Sequence, residues 1–130
     1  MAAIGRAAYV FAALEWNVAW CCEKLQPGYL NTITAKKKTA GTVARNFLAL
    51  AQKAPASAAA NCLTYGTEFG RLVEVRNGIM HGKPGTVTPT GEQRLFHSGA
   101  PWTIEMLDDA ADQFAKCSIA FNDILHNQLP

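Results

Sequence analysis

The sequence predicts an all-α protein, an antiparallel up-and-down bundle of four to five helices with a long loop or small hairpin between the last two main helices. Three observations predict it. Apolar residues recur at helical spacing over four stretches. Proline and glycine punctuation divides these stretches, mostly with short links. One segment, residues 83–102, breaks the pattern and carries Pro84, Gly85, Pro89, Gly91, Gly99 and Pro101. A chain of 130 residues suits one domain around one core, residues 1–130, with no room for a second.

The first helix is expected over about Ala3 to Leu25, stopped by Pro27-Gly28. Ile4, Phe11, Val18 and Leu25 recur every seven residues, with Ala7, Leu14 and Cys21 beside them. Tyr9, Trp16 and Trp20 fall on the opposite side of the wheel, and Arg6, Asn17 and Lys24 fill a narrow wedge between. A helix apolar on two sides needs burial twice. The second burial is either against another subunit or under helices of the same chain.

Lys36, Lys37 and Lys38 follow in a loop. Thr39 is the expected N-cap of a helix over Ala40 to Lys53, with Val43, Phe47 and Leu50 inward. Pro55 ends it and opens the next helix, Ala56 to Met80, which Gly82, Pro84 and Gly85 close. Within residues 83–102, Thr86 to Thr88 and Arg94 to His97 are β-prone pieces around a Pro-Thr-Gly turn, the pattern of a small hairpin. A last helix starts after Thr103 as N-cap. Met106, Leu107, Ala110, Phe114, Cys117, Phe121, Ile124 and Leu125 form its apolar face.

Composition narrows the function classes. Lys and Arg number 12 against 10 Asp and Glu, so any basic surface must be local. Hydrophobic residues at 49% suffice for a packed core. Cys21, Cys22, Cys62 and Cys117 contain no Cys-x-x-Cys pair, poor spacing for zinc or a disulfide framework. Buried free thiols in a reducing cytoplasm are expected. The apolar run Ala7 to Leu14 after Arg6 is too short for a signal peptide and Glu15 ends it. No uncharged apolar stretch is long enough to cross a bilayer, so no membrane partner is expected.

The chemistry concentrates at the end of the third long helix. Tyr65, Phe69, Leu72 and Ile79 line one face, and Arg76 falls in its middle. A guanidinium there is costly unless it is paired, with Glu15 the candidate, or lines a cleft. Asn77 follows at once and His81 four residues later. Gly66 and Gly70 lie one turn apart on the side that carries Asn77, where a substrate or partner helix could approach closely. The helix dipole favours a cationic His81 and a nearby arginine opposes it, which suits a group that exchanges protons near neutrality.

Arg76-Asn77-Gly78-Ile79-Met80-His81 resembles the Arg-x4-His motif of HEPN domains (higher eukaryotes and prokaryotes nucleotide-binding), in the variant with Asn after the Arg. The position also resembles the family, at the end of a long helix with a loop and a closing amphipathic helix after it. The resemblance implies a metal-independent endoribonuclease without cofactor. It implies a homodimer whose two motifs meet in one cleft. His81 would handle the 2′-hydroxyl proton or the leaving oxygen, Arg76 would stabilise phosphate charge, and Asn77 would orient both. The 2′-hydroxyl as internal nucleophile accounts for RNA over DNA. A role as toxin or antiviral-defence component follows, with an antitoxin or regulatory protein as a candidate partner. HEPN toxins paired with nucleotidyltransferases carry Tyr two residues after the His; this chain has Lys83 there.

Lys36, Lys37, Lys38 and Arg45 are candidates to track phosphates, and Lys83, Arg94 and His97 to close over bound RNA. An ordinary solvated loop also accounts for the lysine run, and His97 and His126 read equally as surface histidines. The alternatives to the nuclease are a non-catalytic HEPN module that binds a nucleotide or scaffolds a partner, and an unrelated bundle in which Arg76 is a structural ion pair.

Overall fold

The computed structural model describes residues 2–87, 92–97 and 100–130; the side chains of 83–87, 92–97 and 100 lie outside that description. Five α-helices carry the fold: α1 (Ala2–Leu25), α2 (Tyr29–Ala35), α3 (Ala40–Leu50), α4 (Ala56–Met80) and α5 (Ile104–Asp123). A 3₁₀ turn, Ala51–Lys53, extends α3, and a π turn, Ile124–Gln128, extends α5. Between α4 and α5 lies a small antiparallel meander, β1 (Lys83–Val87), β2 (Glu92–His97) and β3 (Ala100–Pro101). Its register pairs Lys83 with Phe96, Gly85 with Arg94, and His97 with Ala100. The expected hairpin is therefore present; its turn, Pro89-Thr90-Gly91, lies outside the described residues.

Both threonine caps form as the sequence requires. Thr39 Oγ1 accepts from the Thr42 amide at 3.3 Å and Thr103 Oγ1 from the Met106 amide at 3.0 Å. Helix α2 is the element the periodicity did not announce. It has seven residues and no side chain of its own at the cap position, Gly28, which adopts φ 95°. Its cap comes from α1 instead. The Glu23 carboxylate accepts from the Gly28 amide at 2.8 Å and the Leu30 amide at 2.9 Å. These two donors hold the Glu23 carboxyl below the usual carboxylate range.

The three lysines close α2. Lys37 adopts φ 49°, and the amides of Lys37 and Lys38 donate back to the carbonyls of Thr34 and Ile33. That is the reversed-turn closure usually built on glycine, with cations complementing the negative helix end.

From α3 onward the helices alternate in direction. α4 runs against α3, since Gly66 packs on Phe47 while Gly41 shares a cavity with Asn77. It also runs against α5, as Asn61 bonds Gln128 and Trp102 bonds the Gly78 carbonyl. The fifth leg then lies parallel to the first, and the polar wedge of α1 joins them. Arg6 reaches Asp112 at 2.7 Å, Asn17 donates to Ser118 Oγ at 2.9 Å, and Lys24 Nζ donates to the Leu125 carbonyl at 2.7 Å.

The core is a chain of phenyl rings linking four helices. Phe11 stacks on Phe69 at 5.9 Å and meets Phe114 edge-on at 5.1 Å. Phe121 meets Phe69 at 6.1 Å and Phe47 at 5.1 Å. All four cysteines are buried free thiols, and burial pushes Cys21, Cys22 and Cys117 up to about 12. Met106, assigned to the inner face of the last helix, is instead exposed, because it lies at the margin of the face on which Leu107, Ala110 and Ala111 are buried. Among the described residues no helix is long and apolar enough to cross a membrane.

Candidate functional site

A cavity of about 580 Å³ opens where the end of α4 meets the start of α3 and the middle of α1. Arg76, Asn77, His81 and Glu74 line it from α4, Lys38, Thr39, Ala40, Gly41 and Arg45 from the start of α3, and Glu15 from α1. The three motif residues are thus brought together, and two of the proposed phosphate contacts join them. Lys36 and Lys37 do not line the cavity; they serve the end of α2. Lys83 and Arg94 sit on the paired strands that follow His81, and their side chains, with that of His97, lie outside the described residues.

Arg76 is held in an unusual way. Its guanidinium lies over the Phe11 ring at 4.8 Å, at the end of the phenyl chain. Its Nε is buried with no hydrogen-bond acceptor. Glu15, the expected partner, lines the same cavity but makes no ion pair with it within 4 Å. Burial pushes the Glu15 carboxyl above the usual carboxylate range, against the opposing pull of Arg76. An arginine that serves only structure is normally paired; this one makes no ion pair among the described residues.

His81 caps the end of α4, exposed, its amide donating to the Asn77 carbonyl at 2.9 Å. Lys38 bridges the Tyr29 ring, 4.1 Å away, and Thr32 Oγ1 at 2.7 Å. Arg45 is exposed and donates to Thr42 Oγ1 at 3.2 Å. Thr39, Ala40 and Gly41 form the start of α3, where first-turn amides have no acceptor in their own helix. Three fixed cations and a positive helix end therefore face two carboxylates, an arrangement that accepts a phosphate. Among the described residues no group of three or more His, Cys, Asp or Glu side chains could hold a metal ion.

Glu74 and the start of α3 are lining groups that sequence reasoning did not assign to the site, whereas Glu15 was named there only as an ion-pair partner for Arg76. Gly66 has a different neighbour from the one anticipated. A Cβ there would lie 2.8 Å from Leu48 Cδ2 and 2.9 Å from the Phe47 ring, so the close approach is by α3 of the same chain.

The aromatic stripe of α1 is exposed: Tyr9 at 78%, Trp16 at 56% and Trp20 at 40%. Among the described residues no helix covers it. Nor does it border the cavity. At 100° per residue, Phe11 and Glu15 lie about 160° and about 120° around α1 from Tyr9. No protein-family model, curated protein or solved structure matches the chain.

Proposed function

We propose that the cavity binds and cleaves RNA without a metal, by attack of a 2′-hydroxyl on the adjacent phosphate. The observation that carries this reading is the convergence of Arg76, Asn77 and His81 with Lys38 and Arg45 on one cavity, with Arg76 in no ion pair among the described residues. Arg76 and the first-turn amides of α3 bind the phosphate and stabilise the charge that develops on it. His81 takes the 2′-hydroxyl proton or supplies one to the departing 5′-oxygen. Asn77, on the turn between them, orients the two. The product is a 2′,3′-cyclic phosphate and a free 5′-hydroxyl. The HEPN resemblance supports the same chemistry. It also supports a toxin or antiviral-defence role, restrained by a protein that covers the cavity.

The test is incubation of the purified protein with mixed RNA in excess chelator. Wild type should release cyclic-phosphate ends. His81→Ala should lose roughly 100- to 10,000-fold in rate. Wild-type cutting indistinguishable from His81→Ala would remove the proposal.

A second reading, nucleotide binding without cleavage, is favoured by the size of the cavity, which falls in the range of small-ligand sites. Calorimetry with mononucleotides separates the two, since that reading expects binding and no RNA product.

A further inference from the structure

We infer that the exposed stripe of α1 is the contact surface for a second copy of this chain, docked antiparallel across a two-fold axis between Ala12 and Ala13. Along the stripe run Gly5, Tyr9, Ala12, Ala13, Trp16 and Trp20, with Gly5, Ala12 and Ala13 exposed like the aromatics. Their spacing is symmetric about the Ala12–Ala13 midpoint. Tyr9 mirrors Trp16, and Gly5 mirrors Trp20. Turned over on itself, the stripe sets Tyr9 against the partner's Trp16 and Trp20 over the partner's Gly5. The two alanines meet at the crossing, where small side chains let helix axes approach. A surface that complements its own copy is what a two-fold interface requires.

Independent observations agree. Gly5 lies within a helix, where glycine is disfavoured. A Cβ there would meet nothing within 4 Å, so nothing in its own chain calls for the glycine. A partner's indole would. The charges flanking the stripe are already engaged within the chain, Arg6 with Asp108 and Asp112 and Glu23 with the start of α2. Trp16 and Trp20 pack edge to face at 5.9 Å, forming one block.

The stripe also extends onto α5. Asn17 bonds Ser118, and the two helices run parallel, so Ile119, which is 71% exposed, lies at the level of α1 between Trp16 and Trp20. The exposed parts of Tyr9, Trp16, Trp20 and Ile119 amount to roughly 500 Å² per chain, taking aromatic side chains at 150–250 Å² each. Two copies remove roughly 1,000 Å² from water before the small residues and rim are counted, the threshold for a specific interface.

The inference stands apart from the nuclease reading, because its test reads mass and geometry rather than cleavage. Sedimentation of the full chain should give a dimer. Trp16→Glu and Tyr9→Glu should each weaken it at least about tenfold, with unchanged far-ultraviolet dichroism. Gly5→Leu adds apolar surface where the free chain has room, yet should weaken the dimer by striking the partner's Trp20. Under oxidation Ala13→Cys should form a covalent dimer. Ala2→Cys should not, since antiparallel pairing separates the two copies of residue 2 by about 30 Å at 1.5 Å per residue. A wild-type monomer at all concentrations would overturn the inference and leave the stripe to a different protein. So would a dimer indifferent to Trp16→Glu, or equal crosslinking at positions 2 and 13, the mark of parallel pairing.

Discussion

Arg76 holds a charge where its helix neighbours are apolar, and two opposing energies decide what its removal does. The contact with the buried Phe11 ring stabilises by about 0.5–2 kcal/mol. The orphaned Nε–H costs about 1–3 kcal/mol. Partial desolvation of the charge adds to the second, which makes it the larger. Arg76→Met, which keeps the aliphatic stem, should therefore melt at or above the wild-type temperature while losing RNA cleavage. A structural arginine would behave oppositely, so a melt several degrees lower with cleavage retained would reject the assignment. Glu15 supplies a pH test in the same cavity. Its folded-state carboxyl is held above its unfolded value by burial. Such a group favours the folded state below the ordinary carboxylate range, and that contribution is lost as pH rises through the raised value. Glu15→Gln has no such loss. Its melting temperature should gain on wild type between acid and neutral pH; a widening wild-type advantage over that range would contradict the burial argument.

At the scale of elements, the contact between α3 and α4 positions the cavity, because it sets the start of one helix against the end of the other. Gly66 permits that contact. Gly66→Ala gains about 1 kcal/mol of helix propensity, but its Cβ strikes the Phe47 ring and Leu48. Overpacking of this kind costs about 1–3 kcal/mol, so the net change should be destabilising. Gly70, one turn on, would place its Cβ in open space. Gly70→Ala should stabilise by up to about 1 kcal/mol. Chemical denaturation of the pair checks the argument, and equal effects of one sign would refute it. Helix α2 illustrates a different dependence. Seven residues are too few for an isolated helix in water. It exists because Glu23 of α1 caps it and because Tyr29 is buried, its hydroxyl on Asn46 Oδ1 at 2.9 Å.

Across the whole molecule, the phenyl chain joins the core to the site. Phe69 lies in its middle, packed on both Phe11 and Phe121, and Phe11 carries Arg76. Phe69→Ala should cost about 3–5 kcal/mol. It should also loosen the seat of Arg76, so the surviving folded fraction should cleave more slowly per folded molecule. Unfolding monitored beside cleavage, with activity normalised to folded protein, distinguishes this from simple loss of fold. Unchanged specific activity would show that the core does not position the arginine.

The local code of this chain is strong wherever neighbours in sequence are also neighbours in space. Helical periodicity, the threonine caps at Thr39 and Thr103 and the β-prone pieces around a turn all act over a few residues. The helical class, the two capped starts and the small hairpin were therefore legible from the sequence alone, as was the candidate set Arg76, Asn77 and His81, which occupies little more than one turn. Relations between segments were not. Only tertiary packing decided that Glu23 would cap α2, that Lys38 would enter the cavity while Lys36 and Lys37 would close a helix, and that Glu15 would face Arg76 without pairing with it. It alone turned the aromatic stripe of α1 away from the cavity. A periodic pattern shows that two faces of a helix are apolar. Which of them meets the core depends on where α4 and α5 come to rest, and that is settled by contacts between residues about a hundred positions apart, such as Arg6 with Asp112.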